Sequence, residues 1–206
     1  VFIPQGFDDN DVTEVLVHGK FPNSCYQVGE GKYILDRENN QITVWVTAFG
    51  YPAVKCAQVI TPYLTSIKVG ILAEGKYQVN VQNEPAADFA VVTRTTESPD
   101  DYLYAPVSGG DIEVDFNSGR QYLNLIGSYP HTLWGCLKIR YVQMELGSNN
   151  VLVVKPIMEH LPDSQCQGYS HDFKESFGLS QPLSGENVLH VRSINGNSYN
   201  RFIQVY

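Results

Sequence analysis

The residues of this 206-residue chain with the most definite chemistry open to them are its four cysteines, Cys25, Cys56, Cys136 and Cys166. A cysteine can bridge, ligate a metal or attack as a thiolate. None of the four stands in C-x-x-C, so the common zinc and thioredoxin spacings are absent. Four cysteines allow three pairings. The gaps within the two halves are nearly equal, 31 (56 − 25) and 30 (166 − 136). That symmetry favours two equivalent bridges, Cys25–Cys56 and Cys136–Cys166, with four buried free thiols as the competing reading. Bridged cysteines leave no thiol nucleophile and require an oxidising, extracytoplasmic compartment. Each bridge would stabilise its half by roughly 3–4 kcal/mol.

Other reactive types are scattered. His160, His171 and Asp172 flank Cys166 and would form a metal or hydrolytic site only if the fold brought them together. Asp8-Asp9-Asn10-Asp11 carries oxygen ligands but lacks the alternating ligands and glycine of an EF-hand loop, so it reads as solvated acid. Asp100, Asp101 and Asp111 read the same way, with interdomain calcium as the sharper alternative. His190 is expected to point outward, because Leu189 and Val191 take the core phase. There is no G-x-S-x-G elbow, no H-E-x-x-H and no phosphate-binding glycine loop. The expectation is a protein with no catalytic residue, no metal and no cofactor.

The elements that must position these residues are strands. In Gln41–Thr47, Ile42, Val44 and Val46 alternate with Thr43, Trp45 and Thr47; in Gly75–Val81, Tyr77, Val79 and Val81 alternate with Gln78 and Asn80. Further short apolar runs are separated by turn signals such as Glu38-Asn39-Asn40 and Asn195-Gly196-Asn197. No long amphipathic helix is evident; Ser170–Leu179 suits a single helical turn.

The pattern is written twice. At a displacement of 110 positions (149 − 39), Asn39, Asn40, Val44, Pro52, Cys56, Ser66, Gly75 and Val81 meet identical residues. Gly19 and Pro22 meet Gly127 and Pro130 at 108 (127 − 19), and Cys25 meets Cys136 at 111 (136 − 25). These landmarks in one order indicate a duplicated module. The expected domains are residues 1–93 and 102–206, joined by a polar linker at 94–101. Each half has the size of an immunoglobulin-like sandwich. The expected fold is therefore all-β, two tandem Ig-like antiparallel β-sandwiches with one disulfide each. The tryptophan that packs on an antibody domain's bridge has no counterpart, since Trp45 lies on the phase opposite Ile42 and Val44.

Composition narrows the partners. The chain is 43% hydrophobic and 17% charged, enough apolar material for packed cores. Its net charge of −8 and lack of a basic cluster argue against nucleic acid and anionic membrane surfaces. No apolar run is long enough to span a membrane. The chain starts at Val1, so the start reflects processing or design and a removed signal peptide would not be visible.

Several stretches carry a family resemblance. They are Phe21-Pro22-Asn23-Ser24-Cys25, Cys56-Ala57-Gln58-Val59-Ile60-Thr61-Pro62-Tyr63 and Leu72-Ala73-Glu74-Gly75-Lys76-Tyr77-Gln78-Val79-Asn80-Val81. Tyr104-Ala105-Pro106-Val107 and Ile194-Asn195-Gly196 extend it into the second half. Residues 12–82 and 104–195 resemble an uncharacterised Ig-like β-sandwich domain family of secreted and cell-envelope bacterial proteins. The chain departs from the family pattern at Phe21, where leucine is usual, in lacking Gly-Asn before its strand, in the inserted His131-Thr132-Leu133, and at Asn187 in place of tyrosine. The resemblance implies a sandwich fold and an extracytoplasmic address; it implies no activity.

The residues singled out for binding are Trp45, outward on a strand, Tyr51 in the loop after it, and Trp134 in the insertion before Cys136. Exposed aromatics bring area and a polar edge to a protein or sugar; packing under a loop is their competing role. The end loops Phe49–Pro52, His131–Trp134 and Glu159–Asp163 are expected to carry recognition. The reading is a non-enzymatic binding or structural module that contacts protein or glycan. A secreted protease inhibitor and a hydrolase built on His160, His171 and Asp172 are the alternatives.

Overall fold

Alternation of apolar and polar residues does produce strands, and the computed structural model contains no α-helix among the residues it describes: 1–51, 55–82, 84–130, 136–147, 149–162, 165–166 and 171–205. The chain divides into two units, Val1–Arg94 and Thr95–Tyr206. The first holds β1 (Phe7–Asp8), β2 (Thr13–Phe21), β3 (Tyr26–Asp36), β4 (Gln41–Gly50), β5 (Thr61–Gly70), β6 (Gly75–Val81) and β7 (Glu84–Val92). The second holds β8 (Val107–Val114), β9 (Gln121–Ser128), β10 (Leu137–Leu146), β11 (Val151–His160), β12 (Asp172–Gly178), β13 (Gly185–Ser193) and β14 (Asn197–Val205).

Each unit is a β-sandwich. In the first, a sheet ordered β1-β7-β6-β4-β3 faces the pair β2-β5, and Val15, Val17, Ile42, Val44, Ile67, Val79 and Phe89 fill the space between. In the second, β10-β11-β13-β14 faces β12-β9-β8 around Leu123, Leu125, Leu152, Val154, Leu189, Val191 and Ile203. Most ladders are antiparallel. The middle of each larger sheet is not: β4 runs parallel to β6, and β11 to β13.

The two units share one register. Gln41 pairs with Gln78 and Val44 with Val81; at a displacement of 110 (151 − 41), Val151 pairs with Val188 and Val154 with Val191. A left-handed asparagine precedes each parallel strand, Asn40 (φ 51°) and Asn150 (φ 59°). Its carbonyl accepts from the facing strand in both, from Gln78 N at 3.0 Å and from Val188 N at 2.9 Å. The β3–β4 and β10–β11 ladders each carry an irregularity at the matching place, after Val28 and after Ile139. In the smaller sheets, Gly19 pairs with Tyr63 and Gly127 with Phe173. Here the aromatic ring lies over the glycine, and a Cβ at Gly19 or Gly127 would run into it. Phe21 stacks on Tyr63 with centroids 4.6 Å apart, and Tyr129 packs on Phe173 at 5.0 Å.

Cys25 is bonded to Cys56 and Cys136 to Cys166. Each bridge ties the start of an edge strand, β3 or β10, to the chain beyond its hairpin partner.

Several expectations are corrected. Ser170–Leu179 is not a helical turn where it is described: Asp172–Gly178 is strand β12, paired to β9. Phe173 and Phe177 stand four apart, a spacing that puts both on one face of a helix or of a strand. His190 is fully buried rather than outward. Its strand β13 lies between β11 and β14 and is buried on both faces from Asn187 to Ser193, so alternation no longer separates core from solvent. The imidazole Nδ1 meets Asn200 Oδ1 across the ladder at 2.7 Å. Asp8 and Asp11 are buried turn-formers, not solvated acid: Asp8 N donates to Asp11 Oδ2 and Asn10 N to Asp8 Oδ1, both at 3.1 Å. Asp100 is likewise engaged. Its carboxylate accepts from Asn195 N at 2.6 Å and Gly196 N at 2.8 Å, holding the β13–β14 turn.

Two outcomes test this architecture. Replacing Cys25 and Cys56 together by alanine lowers unfolding free energy by roughly 3–4 kcal/mol in urea titration, because the closed loop no longer restricts the unfolded chain. Gly19→Ala costs about 1–3 kcal/mol in the same assay, since the new methyl must displace the Tyr63 ring.

Candidate functional site

Strand alternation sends one set of β4 side chains to the core and the other outward. Thr43, Trp45, Thr47 and Phe49 form the outward set, and Tyr51 continues it. Trp45 is 38% exposed, Phe49 58% and Tyr51 50%. Neighbouring β3 adds Ile34, 61% exposed, whose backbone pairs with Thr43, next to the Lys32–Trp45 pair. The result is an aromatic-aliphatic strip on the outer face of the first unit.

Tyr51 is held in place rather than carried on a free loop. Its backbone N donates to Cys25 O at 2.9 Å, adding one bond to the β3–β4 ladder beside the disulfide. Its hydroxyl donates to Gln27 Oε1 at 3.1 Å. Phe49 lies over Gly29, where a Cβ would meet its ring at 2.9 Å. Glycine at 29 thus leaves room for the aromatic to lie against the sheet.

The second unit repeats this scaffold and changes what it displays. Leu161 N donates to Cys136 O at 2.7 Å, as Tyr51 does to Cys25. The cross-strand pair Gln27–Phe49 becomes Lys138–Glu159, and Lys32–Trp45 becomes Gln143–Lys155. Lys138 Nζ lies 2.9 Å from Glu159 Oε1, and Arg140 Nε lies 3.8 Å from Oε2. The Lys138 hydrogen bond is the main cause of a Glu159 carboxyl pKa below its ordinary 4.5.

The structure therefore brings Trp45 and Tyr51 onto one face and adds Ile34 and Phe49. Ile34 was hidden in the sequence because its partner strand could not be assigned without the register. Phe49 and Gly50, expected in an end loop, are the last residues of β4, and Glu159 and His160 the last of β11. Trp134 and its neighbours 131–135, with Pro52 and Asp163, lie outside the described residues.

Of His160, His171 and Asp172, the last two are in contact. His171 Nε2 approaches Asp172 Oδ2 at 3.3 Å, and Ser128 Oγ donates to Asp172 Oδ1 at 2.7 Å. The carboxylate sits between hydroxyl and imidazole, whereas activating a serine needs the imidazole in the middle. Among the described residues no three His, Cys, Asp or Glu side chains gather as a metal set. No helix among them is long and apolar enough to cross a membrane.

Fold and outer face define a pair of β-sandwich domains that share a frame and differ in display. Residues 15–91, β2 to the end of the β7 core, match the family model of the ORF11 beta-sandwich domain. No curated protein and no solved structure matches the chain.

The Glu159 pair makes a pH prediction. A carboxyl whose folded pKa is lowered adds stability above its ordinary value, and that stability is lost as pH falls through the lowered one. NMR titration should give Glu159 a midpoint below 4.5, moving upward in Lys138→Met.

Proposed function

We propose that this chain is a non-enzymatic, extracytoplasmic binding module of a bacterial surface or secreted protein, made of a duplicated sandwich whose first copy carries the contact surface. The observation that carries the reading is the exchange of Trp45, Phe49 and Tyr51 for Lys155, Glu159 and Leu161 at matching register positions. The second unit completes the same sheet without aromatics there. Folding of this frame therefore does not require them, and exposure at Phe49 and Tyr51 leaves their rings available to a partner.

The two disulfides support the address, since such bonds persist in oxidising compartments. The absence of a basic cluster leaves protein and glycan as partner classes. A bound ring would bury its face and keep its polar edge wet, which suits Tyr51 and Trp45.

Pull-down from envelope extracts and a glycan array test the proposal with the intact chain and with Trp45, Phe49 and Tyr51 each changed to alanine. Binding should fall at least tenfold in the strongest of the three, with the melting temperature held within a few degrees. Undiminished binding in all three variants would remove this surface.

A further inference from the structure

The outer face of the first unit has a second, chemically different region. It begins where β4 begins, about four residues and roughly 13 Å along the strand from Trp45. Gln41 on β4 pairs with Gln78 on β6, and Gln78 with Asp88 on β7. The three side chains stand in one row across three adjacent strands. Lys76, Gln5 and the turn residues Asn39 and Asn40 border a shallow, open groove of about 520 Å³ around the row.

Three features of the groove bear on what it could hold. First, the side chains of Gln5, Gln41, Lys76, Gln78 and Asp88 make no hydrogen bond or ion pair to other described residues, although each carries donors or acceptors. Second, the frame holding them is rigid. Asp36 accepts from Glu38 N at 3.0 Å, Asn39 N at 3.2 Å and Asn39 Nδ2 at 2.7 Å, while Gln78 N donates to Asn40 O. One row along, Asn80 is over nine-tenths buried, and its Oδ1 has no hydrogen-bond partner among the described residues. Third, the second unit fills the same row with Val151, Val188 and Phe202 in the same register. The same ladder thus presents carboxamides and a carboxylate where its outer face is open and fully buried valines where it is covered, so the open polar row belongs to the first unit.

The chemistry of the lining selects a ligand class. Carboxamides donate and accept without charge, and Lys76 and Asp88 contribute one charge of each sign. Taken together the lining carries no net charge, the Asp88 carboxylate in the row standing against the Lys76 ammonium beside it. A ligand rich in hydroxyls can satisfy such a set from both edges, and strands place the groups at fixed spacings of about 4.8 Å. The geometry points to a neutral-saccharide site in the groove of Gln41, Gln78 and Asp88. It rests on the reading of this sheet face as a binding face and specifies its ligand as a glycan that meets amides at one end and aromatics towards the other.

The test uses the whole chain, ¹⁵N-labelled, with neutral tetrasaccharides of glucose, N-acetylglucosamine, galactose or mannose, and with sulfated counterparts. At millimolar concentration at least one neutral tetrasaccharide should shift the Gln41 and Gln78 side-chain amide resonances and those of the Asn39–Asn40 turn. Gln41→Ala/Gln78→Ala should weaken that binding about tenfold or more without lowering the melting temperature. Sulfated counterparts should bind no better than neutral ones. The inference is overturned if no neutral saccharide shifts these resonances, if the double variant binds as the natural chain does, or if the sulfated forms bind better. Binding lost in Trp45→Ala but intact in the double variant would overturn the groove alone and leave the aromatic surface standing.

Discussion

The parallel pairing of β4 with β6, and of β11 with β13, is the constraint on which each unit depends. Two parallel neighbours cannot be joined by a tight turn, because the chain must travel back before the second can start. In the first unit β5 makes that journey in the opposite sheet, and in the second β12 does. The crossover is itself half of the sandwich. Closing the parallel pair therefore brings the two layers together, with Ile67 from β5 and Phe173 from β12 set into the two cores. The left-handed Asn40 and Asn150 fix where each parallel pair begins, since their carbonyls take the first bond from the facing strand.

With the frame set this way, the two units treat their outer surfaces differently. The glycine-under-aromatic contact, the edge-strand irregularity and the cysteine-flanked ladder end recur in both. They involve backbone geometry or core packing, where a change is felt by many neighbours. The outer row of the first unit is open to solvent, whereas in the second unit Val151, Val188 and His190 on that side are buried. At matching register positions, carboxamides stand opposite valines and a phenylalanine, and an aromatic strip stands opposite charged pairs. A sheet face can be rewritten in this way because its ladder is made by the backbone.

How much of this the sequence disclosed follows from what each residue's pattern depends on. Ile42, Val44, Tyr77 and Val79 alternate cleanly and are buried, because their strands have one core face and one open face. Trp45 is outward for the same reason. The bridges were legible from near-equal gaps, and Cys25–Cys56 and Cys136–Cys166 are bonded. His190 was misread because β13 is buried on both faces, a matter of tertiary packing and not of its neighbours in sequence. Asp8 and Asp100 were misread because an acidic run gives no sign of which backbone N–H groups will face it. The row of Gln41, Gln78 and Asp88 was invisible for a different reason. Its members come from three strands and meet only through two registers, one parallel and one antiparallel.

Each disulfide joins cysteines that are consecutive along the chain, and each encloses only its own hairpin and a short stretch beyond it. As a chain emerges from its amino end, Cys25 and Cys56 are both present before Cys136 has appeared. The β3–β4 hairpin pairs strands adjacent in sequence, so the contact that brings these two cysteines together is local. Among these four cysteines, native pairing is then the pairing that vectorial synthesis presents first. Cys136 and Cys166 follow later in the chain, with Cys25 and Cys56 already able to pair with each other. Biogenesis of the tandem can thus proceed one sandwich at a time, with disulfide shuffling required only when the first closure fails.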